Sequence, residues 1–310
     1  MNIALVFLTF FIWSTTFTLG KVTLAYAPPL YLTGIRMLFA GVLILLFLVC
    51  FRRQSLKLTR AHILPILLLS ITAVYLTNAF EFWGLQYLTA AKACFIYSLS
   101  PFLSALFSYL QFKEKMTVKK VIGLVMGFLG FIPVMLQQSG GEQAFGGAAF
   151  FSWPEIALMI AVVTSVYGWV LLRKLGKEGV SPLMANGTSM CIGGAFALIH
   201  SWTLEGGFFP VSNPIGFFEG VFLMIVISNL LCYNLYGFLL KRFTATFLSF
   251  AGLLTPLFAA FFGYIVLGES VSLIFFLSMG IIAFGLWLVY AEELRLGYIA
   301  KVKSPQPIKG

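Results

Sequence analysis

Long apolar stretches separated by short polar or basic segments recur along the whole chain. A helix that crosses a bilayer needs about 20 consecutive apolar residues, and ten stretches of that kind can be distinguished. The pattern therefore predicts an all-α polytopic membrane protein with ten transmembrane helices. The predicted spans are approximately residues 2–20, 30–51, 63–85, 88–111, 119–137, 153–172, 182–202, 215–240, 243–267 and 272–291.

The basic residues alternate along this pattern. Most of the 20 Lys and Arg residues lie in five clusters that follow spans two, four, six, eight and ten, near Arg52, Lys119, Lys174, Lys241 and Lys301. Basic loops stay on the cytoplasmic side of a membrane. We therefore expect both termini in the cytoplasm, with the protein in a bacterial-type inner (plasma) membrane. The N-terminal stretch has no basic segment before it, so we expect it to remain as a first helix.

The second half of the chain repeats the first. Nine of 28 positions are identical when residues 87–114 are aligned with 242–269, including the pairs Pro101/Pro256 and Glu114/Glu269. A repeat of five helices is odd in number, so the second copy enters the membrane in the opposite orientation. We predict a first repeat at 1–137, an external loop at 138–152, a second repeat at 153–291 and a cytoplasmic tail at 292–310.

Composition excludes several kinds of site. All ten acidic residues are Glu, so centres that require paired Asp residues are absent. The four Cys residues lie far apart, and with only His62 and His200 they form no metal-binding spacing. We expect no disulfide, metal or cofactor. The charge of +10 is explained by topology and anionic lipids, so we expect membrane lipids and not nucleic acid as partners.

The chain resembles the EamA-type ten-helix members of the drug/metabolite transporter superfamily. The resemblance rests on Trp13, Phe17, Lys21, Pro29 and Arg36, on the proline-centred fourth helix that ends at residues 112–115, and on its echo at residues 267–269. It covers about residues 3–291. It implies a two-repeat transporter fold, whereas members of the family move amino acids, nucleobase-containing metabolites, S-adenosylmethionine and other small molecules.

Three basic residues lie outside the cytoplasmic clusters: Lys21, Arg36 and Lys92. Lys21 is near a helix end, where we expect it to reach the interface. A charge deeper in the membrane costs about 2.5 to 3.5 kcal/mol unless it meets water or a partner. Glu81 is the nearest acidic partner for Lys92 in sequence. The pair is interpreted either as structural or as a site for the charged groups of a zwitterion, and simple snorkelling is the third alternative.

Aromatic and amide side chains accompany these charges at similar depths. Asn is costly in hydrocarbon unless it is hydrogen-bonded, so we expect Asn residues to face the bundle interior. Packing against neighbours or at the interface is the alternative for each aromatic residue. The predicted substrate-binding residues are Trp13, Phe17, Arg36, Tyr75, Asn78, Glu81, Lys92, Tyr97, Tyr167, Trp169, Asn229 and Tyr233.

Two further features concern motion and packing. Pro101 and Pro256 occupy one repeat position near the middle of helices four and nine, where a proline removes a backbone hydrogen bond, so we predict paired hinges. Gly123 in helix five and Gly285 in helix ten belong to small-residue stripes that permit close helix packing. We expect this seam within a monomer, with a homodimer as the alternative.

Together these features favour a secondary transporter that moves a small organic metabolite by alternating access. Charge pairs and aromatic rings suit an amino acid or an amino-acid conjugate with a ring, such as an aromatic amino acid or S-adenosylmethionine. No nucleotide-binding GxxxxGK[ST] loop occurs, so energy comes from gradients. A multidrug cation exporter and a membrane-embedded enzyme are the alternatives. Direction, coupling ion and counter-substrate stay open.

Overall fold

A computed structural model describes residues 2–52, 58–112, 116–136, 147–148, 151–207, 209–239, 248, 252 and 254–297. Ten helices are numbered here in chain order over these residues. They are α1 (Asn2–Leu24), α2 (Pro29–Phe51), α3 (Arg60–Leu85), α4 (Ala90–Ile96, Tyr97–Leu99 and Ser100–Phe112), α5 (Val118–Leu136), α6 (Trp153–Lys177), α7 (Pro182–Leu204), α8 (Pro214–Leu239), α9 (Thr255–Leu267) and α10 (Leu273–Arg295).

The helices have the length and composition of membrane spans. Eight of those in the described residues are long and apolar enough to cross a bilayer, and α9 is a shorter apolar helix. Large apolar side chains such as Phe39, Leu46 and Phe222 are exposed, as expected where lipid covers the surface. The predicted all-α polytopic membrane fold is therefore confirmed. Gly147–Ala148 and Phe151–Ser152 form a two-residue antiparallel ladder, whereas most of the predicted loop 138–152 and residues 298–310 of the tail lie outside the described residues.

Helices of the two predicted repeats pack against each other in matching pairs. The most extensive contacts join α2 with α7 and α5 with α10. Glycine makes both approaches close: a Cβ on Gly123 would lie 2.6 Å from the carbonyl oxygen of Gly285, and one on Gly41 would lie 2.6 Å from the backbone nitrogen of Cys191. The small-residue seam of α5 and α10 is thus used within the chain.

Three helices change their winding near the middle. α3 contains a π-helical stretch, Ser70–Leu76, and α8 contains another, Ile225–Cys232. α4 passes through a tight 3₁₀ turn, Tyr97–Leu99, immediately before Pro101. Local π and 3₁₀ winding re-aims the side chains that follow it. All three irregular stretches adjoin the cavity described below.

Ionic contacts join the helix ends at the predicted outer end of the bundle, defined as the end where α1 and α3 finish and where α2, α4 and α6 begin. Lys21 Nζ lies 2.7 Å from Glu269 Oε1, and the other oxygen of this carboxylate accepts a hydrogen bond from the Ala90 backbone N–H at 2.9 Å. Lys21 therefore forms an ion pair and does not simply reach the interface, because the turn after α9 brings Glu269 to it.

A second carboxylate at this end caps α2. The two oxygens of Glu205 accept hydrogen bonds from the backbone N–H groups of Leu30 and Tyr31, at 2.8 and 2.9 Å. A helix N-terminus offers free N–H donors and a positive dipole end, so a carboxylate there is stabilising. The backbone N–H of Ser212 also donates to the carbonyl of Tyr26 at 2.9 Å. The connection after α7 is thus fastened to the start of α2.

Candidate functional site

A cavity of about 210 Å³ lies inside the helix bundle. Its lining comes from the outer parts of α2 and α3, from the middle of α1 and α4, from the inner parts of α6 and α8, and from the start of α9. It therefore runs lengthwise through the bundle from Glu81 toward Arg173. Predicted site residues that line it are Trp13, Phe17, Arg36, Asn78, Glu81, Tyr97, Pro101, Trp169 and Tyr233.

One wall of the cavity carries a buried cation. The Arg36 side chain is held by a hydrogen bond from Nη2 to Oδ1 of Asn78, and its guanidinium carbon lies 4.9 Å from the centre of the Phe82 ring. Arg36 is only 4% exposed. Its buried Nε has no hydrogen-bond partner among the described residues. One donor of this guanidinium therefore remains for a molecule in the cavity.

The same wall carries an acid. Glu81 accepts a hydrogen bond from the Tyr97 hydroxyl, and the Tyr97 ring packs edge-on against Phe17 at 5.6 Å between ring centres. Within the part of the chain that the structure describes, no Lys or Arg nitrogen lies within 4.0 Å of the Glu81 carboxylate. Arg36 and Glu81 thus line one cavity without neutralising each other in a direct ion pair.

Another part of the lining is an aromatic cluster, defined here as Trp13, Trp169, Tyr233 and Tyr236. Ring centres are 5.0 Å apart for Trp169 and Tyr236, 5.4 Å for Trp169 and Tyr233, and 5.6 Å for Trp13 and Tyr233. Three helices, α1, α6 and α8, supply these rings. At these distances the rings pack on one another, and ring faces that border the cavity can stack on a flat ring system or attract a cation.

Lys92 was predicted to pair with Glu81, and this pairing is wrong. Its Nζ lies 2.7 Å from Oε1 of Glu155, and both side chains are 4% exposed. Glu155 also accepts from the Ser152 N–H at 2.7 Å, which completes the cap of α6. The start of α4 packs against the start of α6, so an acid from the second half is nearer than the one on α3. Lys92 does not line the cavity.

Three other predicted residues also lie outside the cavity lining. Tyr75 is hydrogen-bonded through its hydroxyl to Nδ1 of His200, between α3 and α7. The Tyr167 ring packs on Phe107 at 6.1 Å between centres. Asn229 is fully buried, and its amide lies 3.2 Å from the sulfur of Met37.

The two prolines occupy the same position in two 13-residue α-helical segments, since each is the second residue of Ser100–Phe112 or Thr255–Leu267. Pro101 lines the cavity in the turn that follows the 3₁₀ stretch of α4. Pro256 lies in the first turn of α9, and most of the predicted span 243–267 before Leu254 lies outside the described residues. In each segment the proline lies in the first turn, where its missing N–H removes no hydrogen bond within that segment, and the paired hinges stay a prediction.

The cavity also contains residues that the sequence analysis did not single out. Tyr236 lies one helical turn beyond Tyr233, and that spacing is the signal that identifies it. Ser98 is buried, and its hydroxyl has no partner among the described residues. Arg173, which belongs to a basic cluster in the sequence, lines the inner part of the cavity. Nothing in the hydropathy pattern separates Ser98 or Arg173 from neighbours that point elsewhere.

Comparison with known proteins places this geometry in a family. The model of the EamA-like transporter family matches residues 1–136 and 152–291. The S-adenosylmethionine/S-adenosylhomocysteine transporter of Chlamydia trachomatis serovar L2 is 44% identical over 302 residues, covering 96% of this chain and 92% of that protein. The protein of the same name from Chlamydia muridarum is also 44% identical, with 96% and 94% covered.

The fold recurs in a solved crystal structure of low sequence similarity. That structure superimposes with a TM-score of 0.68 over 94% of this chain and 97% of its own, at 18% identity. At this level of identity the likeness concerns the fold alone.

Proposed function

The chain belongs to the EamA-like transporter family, and we propose that it carries S-adenosylmethionine and S-adenosylhomocysteine across the membrane. The relatives with that name match nearly the whole chain at 44% identity. The observation in the structure that carries the proposal is the cavity, whose lining contains a buried cation, an acid and an aromatic cluster. Both ligands combine a zwitterionic amino-acid head with a purine ring.

Each part of the cavity has a role in this proposal. Arg36 binds the ligand carboxylate through its unpaired Nε donor, and Glu81 binds the ammonium group. The aromatic cluster takes the adenine ring, and in S-adenosylmethionine it also faces the sulfonium cation, which is attracted to π faces. Charge-assisted hydrogen bonds fix the orientation of the head, whereas the rings supply apolar contact area.

Arg36 favours a zwitterionic cargo over a purely cationic one. A cation without a carboxylate gains from Glu81 and the rings, but it also brings a positive charge into a buried cavity that already contains a guanidinium. A multidrug cation exporter is therefore the less suitable alternative. Like-charge repulsion at this depth is weakly screened by salt.

Calorimetric titration of the purified protein tests the assignment. S-adenosylmethionine and S-adenosylhomocysteine should bind more tightly than adenosine or methionine, because each fragment engages only one part of the cavity. Arg36→Met should weaken both full ligands by about ten- to a hundredfold, the range for a lost charge-assisted hydrogen bond. Adenosine affinity should be unchanged. Arg60→Met, at an exposed position, is the matched control.

Two results would contradict the proposal. Equal affinity for adenosine and for the full ligands would remove the amino-acid head from recognition. Unchanged affinity in both Arg36→Met and Glu81→Gln would remove the charged wall from the site. Exchange can be measured in the same preparation, since vesicles preloaded with unlabelled S-adenosylhomocysteine should accelerate uptake of labelled S-adenosylmethionine if the two ligands share the cavity.

We also propose that both termini face the cytoplasm from a bacterial-type plasma membrane, with the two repeats at 1–137 and 153–291. The alternation of basic clusters supports this orientation. A cysteine that replaces Lys119 in a background without native cysteines should react with an impermeant reagent only after the cells are opened. Strong labelling in intact cells would overturn the orientation.

A further inference from the structure

The π-helical stretches of α3 and α8 end in the same way. Ser70–Leu76 is followed closely by Asn78, and Ile225–Cys232 is followed closely by Asn234. The two Asn residues are 156 positions apart, close to the repeat spacing seen in the sequence. The same irregular winding and the same side chain thus occur in both halves of the protein.

Each Asn side chain donates back into its own π-helical stretch. Nδ2 of Asn78 donates to the carbonyl of Val74 at 2.7 Å, and Nδ2 of Asn234 donates to the carbonyl of Leu230 at 2.7 Å. Where π winding returns to α winding, one carbonyl loses its regular backbone donor, and a buried carbonyl without a donor is costly. In both helices the Asn amide adds a donor at this transition.

The two amides differ at their oxygen. Oδ1 of Asn78 accepts from Nη2 of Arg36, whereas Oδ1 of Asn234 is buried without a partner among the described residues. The Asn78 amide cannot be reversed, because Arg36 only donates and the Val74 carbonyl only accepts. Its orientation is therefore fixed from both sides, and Asn78 is only 2% exposed.

We propose that Asn78 is a positioning residue that holds the Arg36 guanidinium at the place where it meets the substrate carboxylate. The inference rests on the proposed function and deepens it, since it assigns to Asn78 the orientation of the cation that binds the ligand. The π-helical stretch fixes the amide, the amide fixes the guanidinium, and the guanidinium binds the ligand. Asn234 is likewise bonded to its π-helical stretch, but its Oδ1 holds no arginine among the described residues.

The pair Asn78→Ala and Asn234→Ala separates positioning from helix stability. Both variants lose the donor to the π-helical stretch, so both should melt at lower temperature by similar amounts. Only Asn78→Ala should weaken binding of S-adenosylmethionine, by about tenfold. Affinity for adenosine, which has no carboxylate, should stay unchanged in both. Asn78→Ser serves as a second test if Asn78→Ala does not fold. A Ser hydroxyl can donate to the carbonyl four residues earlier, but it is too short to reach Arg36 as well.

The outcomes are distinguishable from failure of the proposed function. If Arg36→Met leaves S-adenosylmethionine affinity unchanged, the proposed role of Arg36 itself is wrong. If Arg36→Met weakens binding but Asn78→Ala and Asn78→Ser do not, the positioning role is overturned. Equal loss of affinity in Asn78→Ala and Asn234→Ala would also overturn it, since that loss would follow from helix stability. Loss in both Asn78 variants with wild-type affinity in Asn234→Ala supports it.

Discussion

Replacing Lys92 by Met should destabilise the protein strongly while leaving the cavity lining in place. The Lys92 ammonium and the Glu155 carboxylate are 2.7 Å apart, and both side chains are nearly inaccessible. Removing the ammonium leaves a buried carboxylate that still accepts a hydrogen bond from the Ser152 N–H. The charge is then neither solvated nor paired.

The magnitude follows from burial. Breaking a buried ion pair by removing one partner costs about 3 to 5 kcal/mol of unfolding free energy, because an uncompensated charge remains. Replacing both partners by uncharged groups costs far less, so Lys92→Met combined with Glu155→Gln should recover most of the loss. The exposed pair Lys174 and Glu178, 4.0 Å apart, is the matched control, and Lys174→Met should cost under about 1 kcal/mol.

A double-mutant cycle on the purified protein in mild detergent measures this coupling. Unfolding free energy is compared for wild type, the two single variants and the double variant, and S-adenosylmethionine affinity is measured in parallel. The reasoning is refuted if Lys92→Met keeps wild-type stability and loses ligand affinity. That result would support the earlier prediction that Lys92 binds the substrate.

Two further outcomes are expected. Gly263→Ala should destabilise the outer end, because its Cβ would lie 2.8 Å from Oε2 of Glu269, whereas Gly280→Ala, with no atom within 4 Å of its Cβ, should be neutral or slightly stabilising; equal melting temperatures for the two variants would contradict this. Pro101→Ala and Pro256→Ala should each slow transport more than they weaken equilibrium binding, because the two prolines hold the same position in Ser100–Phe112 and Thr255–Leu267; wild-type transport in both variants would make the two prolines purely architectural.

The fold was predictable because membrane crossing constrains length and hydropathy directly. An apolar stretch of about 20 residues has few structural alternatives in a bilayer. Partner choice among charges was not predictable in the same way. Glu81 is closer to Lys92 in sequence, but the pairing of Lys92 with Glu155 depends on how the start of α4 meets the start of α6, which local periodicity does not encode.

Part of the candidate site was also predictable from the sequence, because the membrane constrains polar residues as well as apolar ones. Trp13, Arg36 and Asn78 attract attention because polar and amphipathic groups are costly at that depth, and the structure brings all three to one cavity. The π-helical stretches escaped the sequence analysis, since a change of one residue in winding leaves hydropathy unaltered. The recurrence of Asn78 as Asn234 was the available signal, at an offset one residue longer than the offset of the main repeat.

The single carboxylate of Glu269 has a consequence for how the outer end can open. Gly268 adopts a positive φ of 67° at the end of α9, which turns the chain so that Glu269 reaches both Lys21 on α1 and the N-terminus of α4. If α1 or α4 moves away, the Glu269 carboxylate loses one of its two partners. In a half-opened end that carboxylate would be poorly solvated and only partly paired. Intermediate openings are therefore penalised relative to the shut and fully separated arrangements. The outer end should therefore populate two states, closed and fully open. Leakage of small solutes through a partly open outer end should be rare.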